Sequence, residues 1–202
     1  MMNRIGILIF DEVDLLDVGG PYEVFLTASR LAVRRGRPAP FEVAVVGATG
    51  EPVEAYGGMR LIPTHTVGGI GPIDLAVIPG AVAIDRVLAD GETADAVATL
   101  CATATVATSV CTGAFLLGDA GLLRDRPWTT HWEDVETLSQ RIGTGHATTA
   151  RWVDSGEVVT AGGLSSGIAM ALHMVDRLEG RELAVATAKQ IDYLWDPENG
   201  IS

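Results

Sequence analysis

The chain is poor in cysteine, in basic residues and in long apolar runs. Its 202 residues include two cysteines, Cys101 and Cys111, too few to read as a disulfide framework. Lysine and arginine number 14 against 26 aspartates and glutamates, for a formal net charge of −12. That balance argues against nucleic acid or an anionic membrane as a partner, since both call for basic patches. No stretch is long enough to span a bilayer. The apolar run at the N-terminus is short and no small-residue cleavage site follows it, so it reads as a first buried strand rather than a signal peptide. The histidines at 65, 131, 146 and 173 are scattered, without metal-ligand spacing. No metal or organic cofactor is expected, and the cytoplasm is the expected location.

What the chain does have is apolar residues, 48% of the total against 20% charged, enough to bury a substantial core. Strand and helix signals alternate from end to end. Arg4–Phe10 reads as a strand, and Gly20-Pro21 as the opening of a helix to about Arg35, with Pro21 in its first turn. Strands are expected at Phe41–Val46, near Ile62 and at Asp74–Ile78, and a helix at about Thr93–Ala104. A strand then runs into Cys111, followed by a helix to about Leu123. Trp128–Trp132 reads as a short strand, Glu133–Ile142 as a helix, and Arg151–Ala161 as a hairpin around Asp154-Ser155-Gly156. Helices at about Ser166–Leu178 and Glu182–Tyr193 close the chain. The pattern implies one α/β domain over residues 1–202, a mostly parallel sheet with helices on both faces. Ligands bind such sheets beyond the carboxyl ends of the strands, where Phe10, Ile78 and Cys111 fall.

Cys111 is the most telling residue. It ends the run Thr105-Val106-Ala107-Thr108-Ser109-Val110 and precedes Thr112-Gly113-Ala114-Phe115, which places a thiol on a tight strand-to-helix turn. The geometry is that of a nucleophile elbow with sulfur in place of a hydroxyl. A helix N-terminus beside the sulfur is expected to favour the thiolate. Cys101, inside a helical apolar pattern, reads as core. The acidic run Asp11-Glu12-Val13-Asp14 reads as a solvated loop face.

The segment Thr108–Gly113, followed by Gly118-Asp119-Ala120-Gly121-Leu122-Leu123 and Thr129-Thr130-His131-Trp132, resembles the ThiJ/PfpI superfamily. So do Leu16-Asp17-Val18-Gly19-Gly20-Pro21-Tyr22-Glu23-Val24-Phe25 and the glycine-rich Thr160–Gly163 with Gly167-Ile168. Within that group the likeness is to the isonitrile (isocyanide) hydratases and to the sensor-like domain of certain AraC-type regulators. The resemblance implies a flavodoxin-like, class I glutamine amidotransferase-like fold and a homodimer. It makes Cys111 the nucleophile, Asp17 its carboxylate partner and Thr112 a neighbouring hydrogen-bonding residue. Glu23 is the rival acid, because other branches use a glutamate from this region. The protease-like branch has histidine where Thr112 stands, which counts against a Cys–His peptidase. A loop that is usually Pro-Gly-Gly is here Pro79-Gly80-Ala81, and Ala81 would be strained if that position needs φ > 0. Backbone amides at Gly80 and Ala81, together with His131, are the candidate substrate and oxyanion contacts.

The expected activity is hydration of a small-molecule isonitrile to an N-formamide through a cysteine thioimidate, with an Asp general acid/base. A glyoxalase- or deglycase-like activity and a non-enzymatic ligand- or redox-sensing module are the alternatives. A thiolate beside a carboxylate raises one of the two pKa values, so the pair is expected to share a proton.

Overall fold

A computed structural model describes residues 2–201. In chain order the elements are β1 (Asn3–Ile9), α1 (Leu15–Arg34), β2 (Phe41–Gly47), β3 (Val53–Glu54), β4 (Arg60–Leu61), β5 (His65–Thr66), β6 (Ile73–Ile78), α2 (Ile84–Leu88) and α3 (Gly91–Thr103). They continue with β7 (Ala104–Val110), α4 (Gly113–Asp119), β8 (Pro127–Trp128), α5 (Val135–Ile142), β9 (His146–Ala147), β10 (Trp152–Asp154), β11 (Val158–Ala161), α6 (Ser166–Glu179), α7 (Arg181–Gln190) and β12 (Gly200–Ile201). Eight strands form one sheet in the order β12-β10-β11-β7-β6-β1-β2-β5. Every neighbouring pair in it is parallel except the β10–β11 hairpin.

The inner strands β1, β6 and β7 are buried along most of their length because both faces of the sheet are covered. Helices α1, α6 and α7 pack together as one group, and α2, α3, α4 and α5 as another. Between them lies a core holding Ile7, Leu8, Leu75, Val77, Phe25 and Leu172, all essentially inaccessible. Asp90 starts α3 by accepting the backbone N–H groups of Glu92 and Thr93, a side-chain cap that satisfies two orphan donors. The chain thus has the mostly parallel α/β architecture that its alternating pattern implied.

Three local expectations are corrected. Helix α1 begins at Leu15, six residues ahead of Pro21, so the proline sits inside the helix rather than in its first turn. Pro21 has no N–H for the Asp17 carbonyl, an interior placement that costs about 3 kcal/mol. Tertiary packing outweighs it: Gly20 lets α1 approach α6 so closely that a Cβ there would lie 3.0 Å from Ile168. Strand β8 stops at Trp128 rather than reaching Trp132. The next two residues leave the ladder because Thr129 N–H donates to Thr160 Oγ1 and Thr130 Oγ1 donates to the Cys111 carbonyl. Helix α4 ends at Asp119, short of Leu123. The short strand expected near Ile62 is present as β4.

Candidate active site

Cys111 stands immediately beyond β7 with φ +55, a left-handed conformation uncommon for any residue but glycine. Its N–H donates to the carbonyls of Ala161 and Gly162, at 3.2 and 2.8 Å, which holds the bend against the end of β11. Helix α4 can begin directly after it because residue 113 is glycine. A Cβ at Gly113 would collide with the carbonyl oxygens of Ile78 and Pro79. The elbow foreseen at Cys111 is therefore built from the ends of three strands, β6, β7 and β11.

Asp17 comes to the sulfur from the first turn of α1. It is fully buried. Oδ2 accepts the Gly80 N–H at 2.9 Å, whereas Oδ1 is buried with no partner. Carboxylate oxygens of Asp14 and Asp17 and the Cys111 Sγ all lie within 4.8 Å of one another. Asp14 is a correction to the sequence reading: it is buried at 8% exposure rather than on a solvated loop face. The Asp14 N–H donates to the Gly80 carbonyl, and the bridge between Val13 and Ala81 fastens the same loop to the end of β6. Spacing of three residues at a helix start puts both carboxylates on one side, a signal hidden when the helix is taken to open at Pro21.

The electrostatics reverse one expectation. Burial, then the nearby Asp17 and Asp14 carboxylates, push the Cys111 thiol up to about 12, although the Thr112 backbone N–H pulls the other way. Burial likewise raises Asp17 to about 7, against the stabilising Gly80 N–H and with further upward pressure from Asp14. Asp14 is raised by burial and relieved in part by His131. A seven-residue helix offers too little to offset the loss of water around a buried sulfur. At rest, then, the proton sits on sulfur, and Asp17 is poised to exchange protons near neutral pH. The same three ligand atoms have the spacing to hold a cation, but only after their protons are displaced.

The other candidate residues are placed as follows. Thr112 Oγ1 accepts the Ala81 N–H and donates to the Ala81 carbonyl, each at 2.9 Å. The Ala81 amide is therefore taken by Thr112 and the Gly80 amide by Asp17. Ala81 is outside the positive-φ residues, so replacing the usual glycine leaves no strain there. His131 is half-buried, its Nδ1 3.4 Å from Asp134 Oδ2, and its ring abuts Gly163. Glu23 is exposed in the third turn of α1 and accepts a bond from Thr27 Oγ1 at 2.9 Å. It lies outside the buried cluster, in which Asp17 and Asp14 are the acids beside the sulfur. Thr130, which holds the Cys111 carbonyl at 2.9 Å, was concealed by reading its segment as strand.

The DJ-1/PfpI family profile matches residues 3–177. The chain belongs to the DJ-1/PfpI family. It is 32% identical over 193 residues to an isonitrile hydratase of Pseudomonas putida, covering 96% of this chain and 79% of that protein. It is also 26% identical over 195 residues to the HTH-type transcriptional regulator GbdR of Pseudomonas aeruginosa, spanning about half (51%) of that protein's length. Among solved structures, a THiJ/PfpI family protein from Pseudomonas syringae superposes with a TM-score of 0.83 at 26% identity, covering 98% of this chain and 77% of that one. Within this DJ-1/PfpI chain no helix among the described residues is long and apolar enough to cross a membrane.

Proposed function

We propose that this protein hydrates isonitriles to N-formamides, with Cys111 as nucleophile and Asp17 as proton carrier. One observation carries the reading: a buried thiol and a buried carboxylate raised to about 7 stand within 4.8 Å of each other, with one carboxylate oxygen free of any partner. The likeness to an isonitrile hydratase supports it.

Asp17 takes the Cys111 proton as sulfur attacks the terminal carbon, then delivers it to that carbon to give a thioimidate, R–N=CH–S–Cys. Asp17 next takes a proton from water as the water oxygen adds to the same carbon, and passes it to nitrogen. The carbon–sulfur bond breaks, sulfur recovers the hydroxyl proton, and R–NH–CHO leaves. The sum is isonitrile plus water, with thiol and carboxylate restored. Asp14 keeps the pair from losing both protons, because a third negative charge would lie beside two others. Thr112 and Thr130 hold the loops that frame the sulfur. The homodimer implied by the resemblance is part of this proposal, and light scattering in solution checks it.

The test is formamide production from a simple alkyl isonitrile by wild type, Cys111→Ala and Asp17→Asn. Activity in the wild type alone is expected. An inactive wild type removes the hydratase reading, and a fully active Cys111→Ala removes the mechanism. The match to a regulator over half that protein's length favours a second reading, a ligand-sensing module. An inactive wild type that nevertheless binds an isonitrile or formamide in calorimetry selects it. Turnover of methylglyoxal in place of isonitrile selects the glyoxalase-like alternative.

A further inference from the structure

A groove of about 960 Å³ has a lining that includes Thr130, Thr148, Arg151, Gly162, Ser166 and Asn199. Thr130 and Gly162 are the residues that hydrogen-bond the Cys111 carbonyl and N–H, so the groove begins at the nucleophile's own main chain. Gly162 in turn donates its N–H to the Arg151 carbonyl at 3.0 Å. Cys111, Gly162 and Arg151 therefore succeed one another across β7, β11 and β10, one step beyond the paired Val110, Ala161 and Trp152. Two strand spacings, roughly 10 Å, separate the main chain of Cys111 from that of Arg151.

Arg151 is the one cationic side chain of that lining among the described residues, and Glu198, the one acid, is exposed. The guanidinium is fixed but unneutralised. Nη2 donates to Ser165 Oγ at 3.0 Å and to Tyr193 Oη at 2.7 Å, and the group lies 5.9 Å from the Tyr193 ring centroid. Neither acceptor is acidic, and Nε is buried with no partner at all. A part-buried guanidinium that no acid neutralises is costly to hold, and with both Nη2 protons committed to hydroxyls, Nη1 is left to take a carboxylate oxygen. Around it the hydroxyls of Thr148 and Ser166 line the wall.

We propose that this groove is a subsite for the substrate's R group and selects an R group that ends in a carboxylate, with Arg151 as its binding residue. The assignment rests on the hydratase reading above and narrows it to isocyanoalkanoates.

The experiment compares kcat/KM for an isocyanoalkanoate with that for its methyl ester, in wild type, Arg151→Gln and Arg151→Lys. The acid-to-ester ratio is internal to each protein, so a partial loss of folded enzyme cancels. Wild type is expected to favour the acid about tenfold or more through KM, Arg151→Gln to bring the ratio near one, and Arg151→Lys to fall between. A ratio near one in the wild type, or one unchanged by Arg151→Gln, overturns the subsite and leaves the hydratase reading standing. If neither compound is turned over, the hydratase reading fails, and calorimetry with the corresponding formylamino-alkanoate decides the subsite. Binding that weakens about tenfold in Arg151→Gln supports it; no binding, or binding indifferent to the change, overturns it.

Discussion

A single oxygen, Thr112 Oγ1, both accepts from and donates to the main chain of Ala81, at 2.9 Å in each direction. This pair ties the loop after β6 to the start of α4, and so fixes Gly80, whose amide holds Asp17, relative to the sulfur. Thr112→Val fills the same volume without the hydroxyl and leaves a buried N–H and a buried carbonyl unmatched. The expected cost is about 1–3 kcal/mol of stability, with isonitrile turnover reduced; Thr112→Ser is expected to restore most of both. Thermal melts and steady-state rates on the two variants check this.

With Asp17 raised to about 7 and Cys111 to about 12, the reactive form carries one proton between them. We predict that kcat/KM rises with pH through about 7 and falls only toward about 12. Because Asp14 pushes both groups upward, Asp14→Asn moves the acidic limb to lower pH. A rate profile that is flat between pH 5 and 9 would contradict the assignment of Asp17.

Asp17 should also destabilise the fold at neutral pH. A carboxyl whose native pKa lies above its ordinary value of 3.8 binds its proton more tightly folded than unfolded. Stability is therefore greatest below about 4 as far as this group is concerned, and declines as pH rises through about 7. Asp17→Asn removes the titration, so it is expected to melt higher than wild type at pH 8, by an amount on the order of a few kcal/mol at most. The advantage should shrink at pH 5. Melting curves across that range give the answer directly.

Gly113→Ala is expected to be severe. The added methyl meets the carbonyl oxygens of Ile78 and Pro79, backbone atoms at the end of a central strand that cannot step aside. Loss of several kcal/mol, or failure to fold, is the expected result, seen as low soluble yield and a depressed melting temperature.

How much of this was legible in the sequence varied with how local its cause was. The run of apolar residues ending in Cys111-Thr112-Gly113 marks a buried strand and a sharp turn by itself, and the alternation of such runs with helical stretches implies the parallel sheet. Asp14 was hidden because a proline ordinarily opens a helix, and only the close approach of α1 to α6 overrules that preference at Pro21. The upward shift at Cys111 was equally hidden. It depends on how many distant groups exclude water from the sulfur, and nothing within a few residues of position 111 reports that.

The backbone at Cys111, with φ +55, carries a last consequence. Side chains larger than hydrogen are disfavoured in that conformation by about 1 kcal/mol or more, so the scaffold would rest easier with glycine there and no thiol at all. Selection for ruggedness alone would tend to erase the sulfur; under the proposed function its presence at that bend is reactivity retained at the expense of resilience.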